Sequence, residues 1–112
     1  MKLHLHATGF ELDVELEKYV DGKVGQLYKE LPRKLRADAS CDILFRLSEK
    51  AKTKLSTCKL VVQFDGAMFQ AEESTQHMYA ALDIAVVNVQ HQLEAYLTDH
   101  GYKQKRGEWR LP

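Results

Sequence analysis

Leu60-Val61-Val62-Gln63-Phe64-Asp65-Gly66-Ala67-Met68-Phe69-Gln70-Ala71 decides the fold. Asp-Gly between two alternating apolar runs is a strong signal for a two-residue hairpin turn. Closing the chain there pairs Phe64 with Ala67, Val62 with Phe69 and Leu60 with Ala71. Apolar side chains then meet on one face, and the register is self-consistent.

Working outward, the same period of two recurs upstream. Cys58, Leu60, Val62 and Phe64 share one face of the hairpin's first strand. Before it, Cys41, Ile43, Phe45 and Leu47 alternate with Asp42, Arg46 and Ser48, which predicts another strand half in the core. At the start of the chain, Lys2, His4 and His6 alternate with Leu3 and Leu5, the pattern of a strand with one wet face. Between these strands the period changes: Leu16, Val20, Val24, Leu27 and Leu31 repeat at helical spacing. Asp13 is placed to cap that helix, and Pro32 biases the chain to leave it. Arg33 to Ala39 reads as a polar connection.

Downstream of the hairpin, Ser74 or Thr75 is placed to cap a last helix. Its apolar stripe is Met78, Leu82, Val86, Val89, Leu93 and Leu97. Each helix has a single apolar face. The expected fold is therefore α+β, in the order β-α-β-β-β-α, with two helices side by side on one face of a four-stranded sheet.

A chain of 112 residues has room for one domain and one core, and should bury roughly two thirds of its unfolded surface. Lys plus Arg and Asp plus Glu number 16 each, so nucleic-acid binding is not announced by the total charge; a neutral total is compatible with separated patches. Two cysteines, no leading apolar segment and no run of membrane-spanning length point to reduced thiols, no membrane association and a cytoplasmic setting.

The hairpin's last strand and the helix after it carry a further signature. Phe69-Gln70-Ala71-Glu72-Glu73, followed by His77-Met78-Tyr79-Ala80-Ala81-Leu82-Asp83, resembles the ribosome hibernation promoting factor family. That family is also known as ribosome-associated inhibitors or, in older usage, sigma-54 modulation proteins. Leu12-Asp13-Val14-Glu15-Leu16-Glu17-Lys18-Tyr19-Val20 looks like the family's first helix, and the similarity runs from Met1 to about Asp99. The resemblance implies the same β-α-β-β-β-α fold. It divides the chain into a hibernation factor-like domain over residues 1–99 and a basic, aromatic-containing tail over 100–112. No appended second domain is seen, so the chain resembles the family's short form. The implied function is translation silencing: members lodge on the small ribosomal subunit, in the channel where messenger and transfer RNA pass. The implied partners are that subunit and its rRNA, with no cofactor and no small-molecule substrate.

Binding of that kind requires cations placed on phosphates, with affinity that falls as salt rises. On the first helix Lys18 and Lys29, eleven residues apart, share a solvent face with Gly22 and Gln26 nearby, and Lys23 sits on the flank. Arg33, Lys34 and Arg36 follow without an intervening acid, and Lys50, Lys52 and Lys54 lie around a hairpin loop. These residues equally fit the role of keeping a small domain soluble. The second helix departs from the family's pattern, which places several cations after Met-Tyr-Ala-Ala. No Lys or Arg occurs between Lys59 and Lys103, and the corresponding outer positions are Asn88, Gln90, His91, Gln92, Glu94 and Ala95. His91 alone can become cationic there. The tail, with Lys103, Lys105, Arg106 and Arg110 beside Tyr102 and Trp109, is able to carry phosphate and stacking contacts instead, or to act only as a solubilising end. Trp109 needs a partner or a groove, which the protein's own surface is also able to supply.

Gly22 and Gly25 each cost roughly 1 kcal/mol relative to Ala inside a helix, as expected where a second backbone, RNA or helix, approaches closely, or where tertiary packing tolerates the cost. His4 and His6 lack a Cys or carboxylate at ligand spacing, so no metal site is expected. Cys41 and Cys58 read as core thiols, and the register sets Cys58 against Phe45 or Leu47 rather than Cys41, so no disulfide is expected. Glu72 and Glu73 point to opposite faces of a strand and cannot address one substrate. Nothing assembles a nucleophile, a base and an oxyanion site, so no enzymatic activity is expected. Two functions follow: the ribosome-bound silencer, and a divergent relative that keeps the scaffold for protein-protein association without tight ribosome binding.

Overall fold

The computed structural model describes residues 2–50 and 53–101. The elements in chain order are β1 (Lys2–Thr8), α1 (Val14–Glu30), α2 (Arg33–Arg36), β2 (Ser40–Lys50), β3 (Thr53–Phe64), β4 (Ala67–Thr75) and α3 (Met78–Asp99). They build one mixed sheet in the order β1-β2-β3-β4, with β1 parallel to β2 and the other neighbours antiparallel. The α+β architecture matches the expected one, and β1 and β4 are its edges.

The Asp65-Gly66 turn holds positive φ at both residues, 53° and 74°, which is the type I′ geometry whose twist suits a tight hairpin. It sets Phe64 against Ala67, Val62 against Phe69 and Leu60 against Ala71, the pairing that the alternation demands. Cys58 lies opposite Phe45 and Cys41 opposite Val62, so the two buried thiols stay apart and free. Burial pushes both thiols up to about 12.

The core forms where the helical and strand periods converge. Leu16, Val20, Val24 and Leu27 of α1, together with Leu31 just beyond it, meet Ile43, Phe45, Leu60 and Val62 of the sheet. Leu82, Val86, Val89, Leu93 and Leu97 of α3 complete it. Phe64, Phe69 and Tyr96 make an aromatic cluster where α3 crosses the hairpin, with ring centroids 5.2–5.6 Å apart. The sheet's other face stays open: His4, His6, Lys59 and Met68 are exposed on it.

Two local expectations are corrected. The stretch from Arg33 is not a plain polar connection but opens with the single helical turn α2, which half-buries Leu35 against the core. Neither Ser74 nor Thr75 caps α3. The ladder with Ser56 and Thr57 holds both in β4, and the helix starts at Met78 with His77 as its N-cap. Thr75 serves that junction differently: its Oγ1 accepts from the His77 N–H and donates to the His77 carbonyl. At α1 the expected cap is present, Asp13 Oδ1 accepting from the Leu16 N–H at 2.7 Å.

Candidate nucleic-acid interface

The cations that the sequence singles out fall into three groups. Lys18 and Lys29 lie exposed on the outer face of α1, with Gly22 and Gln26 exposed between them. Arg33 and Lys34 are exposed on α2, which follows that helix after two extended residues, Leu31 and Pro32. These four exposed cations follow one another along α1 and the turn after it.

Lys23 and Arg36 belong to a second group, because each is engaged inside the fold. Lys23 Nζ is 3.2 Å from Asp83 Oδ1 and sits 5.4 Å from the centre of the Tyr19 ring. The Tyr19 hydroxyl donates to the same carboxylate at 2.6 Å, and its ring meets Tyr79 edge-on at 4.8 Å. The hydrogen bond to Asp83 raises the Lys23 pKa above its ordinary value, so this lysine is a clasp between α1 and α3. Arg36 turns back on α1: its Nε donates to the Leu31 carbonyl at 2.9 Å and a terminal nitrogen to the Lys29 carbonyl at 3.4 Å. Its guanidinium lies 5.1 Å from the centre of the Tyr28 ring. It closes the helix C-terminus, where orphan carbonyls and the dipole both favour a cation.

The remaining cations lie apart from these two groups or outside the described residues. Lys54 pairs with Glu49 at 3.6 Å across the β2–β3 ladder, and Arg46 with Glu72 at 3.8 Å on the open sheet face. His91 is exposed on α3. Lys103, Lys105 and Arg106, with Trp109, lie outside the described residues, as does Lys52.

Sequence reasoning underrated the outer face of α3. Asn88 and Gln92, two of its expected outer positions, turn toward the sheet edge: Asn88 Nδ2 donates to Glu73 and Gln92 Nε2 to the Gln70 carbonyl. What faces out is a stripe of Ala80, Ile84, Val87 and His91, with Ile84 and Val87 both nearly half exposed. Ile84, Val87 and His91 bound a shallow groove of about 370 Å³ with Asp83 and Asn88. The signal is present in the sequence, since Ala80, Ile84 and Val87 repeat at helical spacing on the side opposite the core stripe.

Glu72 lies on the open sheet face and Glu73 on the helix side, as their adjacency requires. Among the described residues no group of three or more His, Cys, Asp and Glu stands together to hold a metal. No helix among them is long and apolar enough to cross a membrane.

The fold is a parallel helix pair on one face of a mixed sheet in which β1 runs parallel to β2. The sequence profile of the family described as "Sigma 54 modulation protein / S30EA ribosomal protein" matches residues 3–100, and the chain belongs to that family. The fold is shared with the N-terminal domain of Protein Y from Thermus thermophilus, with a TM-score of 0.72 at 20% identity. That match covers 86% of this chain and 99% of the other. It is also shared with a ribosomal subunit interface protein from Coxiella burnetii, with a TM-score of 0.68 at 18% identity, covering 86% and 97%. No curated protein sequence matches the chain.

Proposed function

We propose that this protein is a ribosome-binding translation silencer. It occupies the messenger and transfer RNA channel of the small ribosomal subunit and holds rRNA through Lys18, Lys29, Arg33 and Lys34. Family membership across residues 3–100 supports ribosome association. The observation that carries the site is the exposure of those four cations along α1 and on α2 just after it. Lys23 and Arg36, spent on Asp83 and on the α1 carbonyls, set the geometry of that row rather than extend it. Lys103, Lys105 and Arg106 of the tail, with His91, add a second set of contacts. The act is binding in the cytoplasm; the reading assigns the chain no reaction, cofactor or small-molecule substrate.

Co-sedimentation with isolated small ribosomal subunits across a salt series tests the reading. Association should weaken with salt, the logarithmic slope counting the phosphates neutralised, about 0.7–0.9 per contact. Absence of association at low salt would overturn it.

A further inference from the structure

The helix layer is electrically polarised. At the N-terminal end of α1 stand Glu11, Asp13, Glu15, Glu17 and Asp21, against Lys18 alone. At its C-terminal end Lys29, Arg33, Lys34 and Arg36 stand against Glu30. Alongside, α3 presents the uncharged stripe of Ala80, Ile84 and Val87. An apolar strip flanked by oppositely charged ends is self-complementary under a two-fold axis set across the helices, because the rotation lays each end on its opposite.

The middle of α1 fits the same arrangement. Gly22 is the central residue of α1, and a Cβ built there or at Gly25 would meet nothing within 4 Å. The fold itself therefore gives no reason for two residues that weaken a helix. The Lys23–Asp83 contact puts Gly22 and Ile84 at about the same height along the layer. An axis at that height places Glu15 seven residues to one side and Lys29 seven to the other, so each Glu15 meets the partner's Lys29. Ala80 then faces the partner's Val87, and Gly22 lets the two α1 backbones approach.

We propose that this face binds a second copy of the chain, forming a two-fold dimer with α1 antiparallel on α1 and α3 antiparallel on α3. The absence of net charge removes long-range repulsion between copies. The absence of Lys and Arg from α3 acquires a purpose, since a cation at position 84 would face its own copy across the axis. Lys18 and Lys29 are covered in the dimer, so self-association and RNA binding exclude each other.

Sedimentation velocity on the full chain, from about 1 µM to about 1 mM, tests this independently of any ribosome. The expected result is a concentration-dependent dimer that weakens with salt. Ile84→Glu, at an exposed position, should raise its dissociation constant at least about tenfold while leaving the circular dichroism melt unchanged. Glu15→Lys should also weaken it, and the swap Glu15→Lys with Lys29→Glu should restore it to within about twofold. A chain that stays monomeric throughout overturns the proposal, as does a dimer indifferent to Ile84→Glu. So does a monomer that dimerises only once residues 102–112 are deleted, which would make the tail the occupant of this face.

Discussion

α1 and α3 lie on the same sheet, run in the same direction and bury equivalent stripes, yet their outer faces differ completely. α1 exposes Lys18 and Lys29 among acids and continues into Arg33 and Lys34; α3 exposes Ala80, Ile84 and Val87. One helix presents charge to its surroundings and the other an apolar strip. The inner faces are fixed by the core and allow little variation, whereas the outer faces are free of the fold and record what the surface touches.

The sharpest way to break this comparison is to test whether α3's two faces carry such different weight. Leu93→Ala, at a fully buried position, should cost about 2–5 kcal/mol in urea unfolding. Val87→Ala, six residues earlier on the outer face, should stay within about 0.5 kcal/mol. Comparable losses would mean that the outer stripe already packs against something in the isolated chain.

The second test compares the helices as RNA contacts. Lys18→Glu, Lys29→Glu, Arg33→Glu and Lys34→Glu combined should lower affinity for small subunits by about two decades or more and reduce the salt slope by about one per cation. Arg36 is left intact in that variant because it closes α1. His91→Gln on α3 should change affinity by a few-fold at most. Equal effects from the two helices would dissolve the distinction.

Most of the fold was legible, because burial imposes a period and the turn chemistry is local. The Asp65-Gly66 hairpin and the core stripes of both helices followed directly from spacing. What was not legible depends on three-dimensional competition for the same atoms. Lys23 and Arg36 have the same sequence credentials as Lys29 and Arg33. Only the approach of Asp83 from α3, and of the Leu31 carbonyl just before Pro32, engages them inside the fold. Thr75 looked like a cap because Ser and Thr before an apolar run usually are. The β3–β4 ladder claimed it first, since strand pairing continues to Ser56–Thr75. That difference is measurable: Asp13→Ala should cost about 1 kcal/mol, the value of a lost N-cap bond, and Thr75→Ala only a few tenths.

The smallest effect concerns the clasp between the two helices, and its sign follows from the direction of two shifts. Contact with Asp83 raises both the Lys23 ammonium and the Tyr19 phenol above their ordinary values. A group whose pKa is higher in the folded state binds its proton more tightly there. The stabilisation is then fully present below the unfolded value and is lost as pH rises through the folded one. For Lys23 and Tyr19 that window lies in the alkaline range, above about pH 10, so the clasp is intact at any physiological pH. Asp83→Asn should shrink the fall in melting temperature between about pH 9 and pH 11, because the mutant no longer holds either proton preferentially. Both groups are open to solvent and the pair is screened, so the change should be slight. An unchanged fall in the mutant would show that α1 and α3 are held together by Tyr19 against Tyr79 and by the shared core, with the charges contributing nothing.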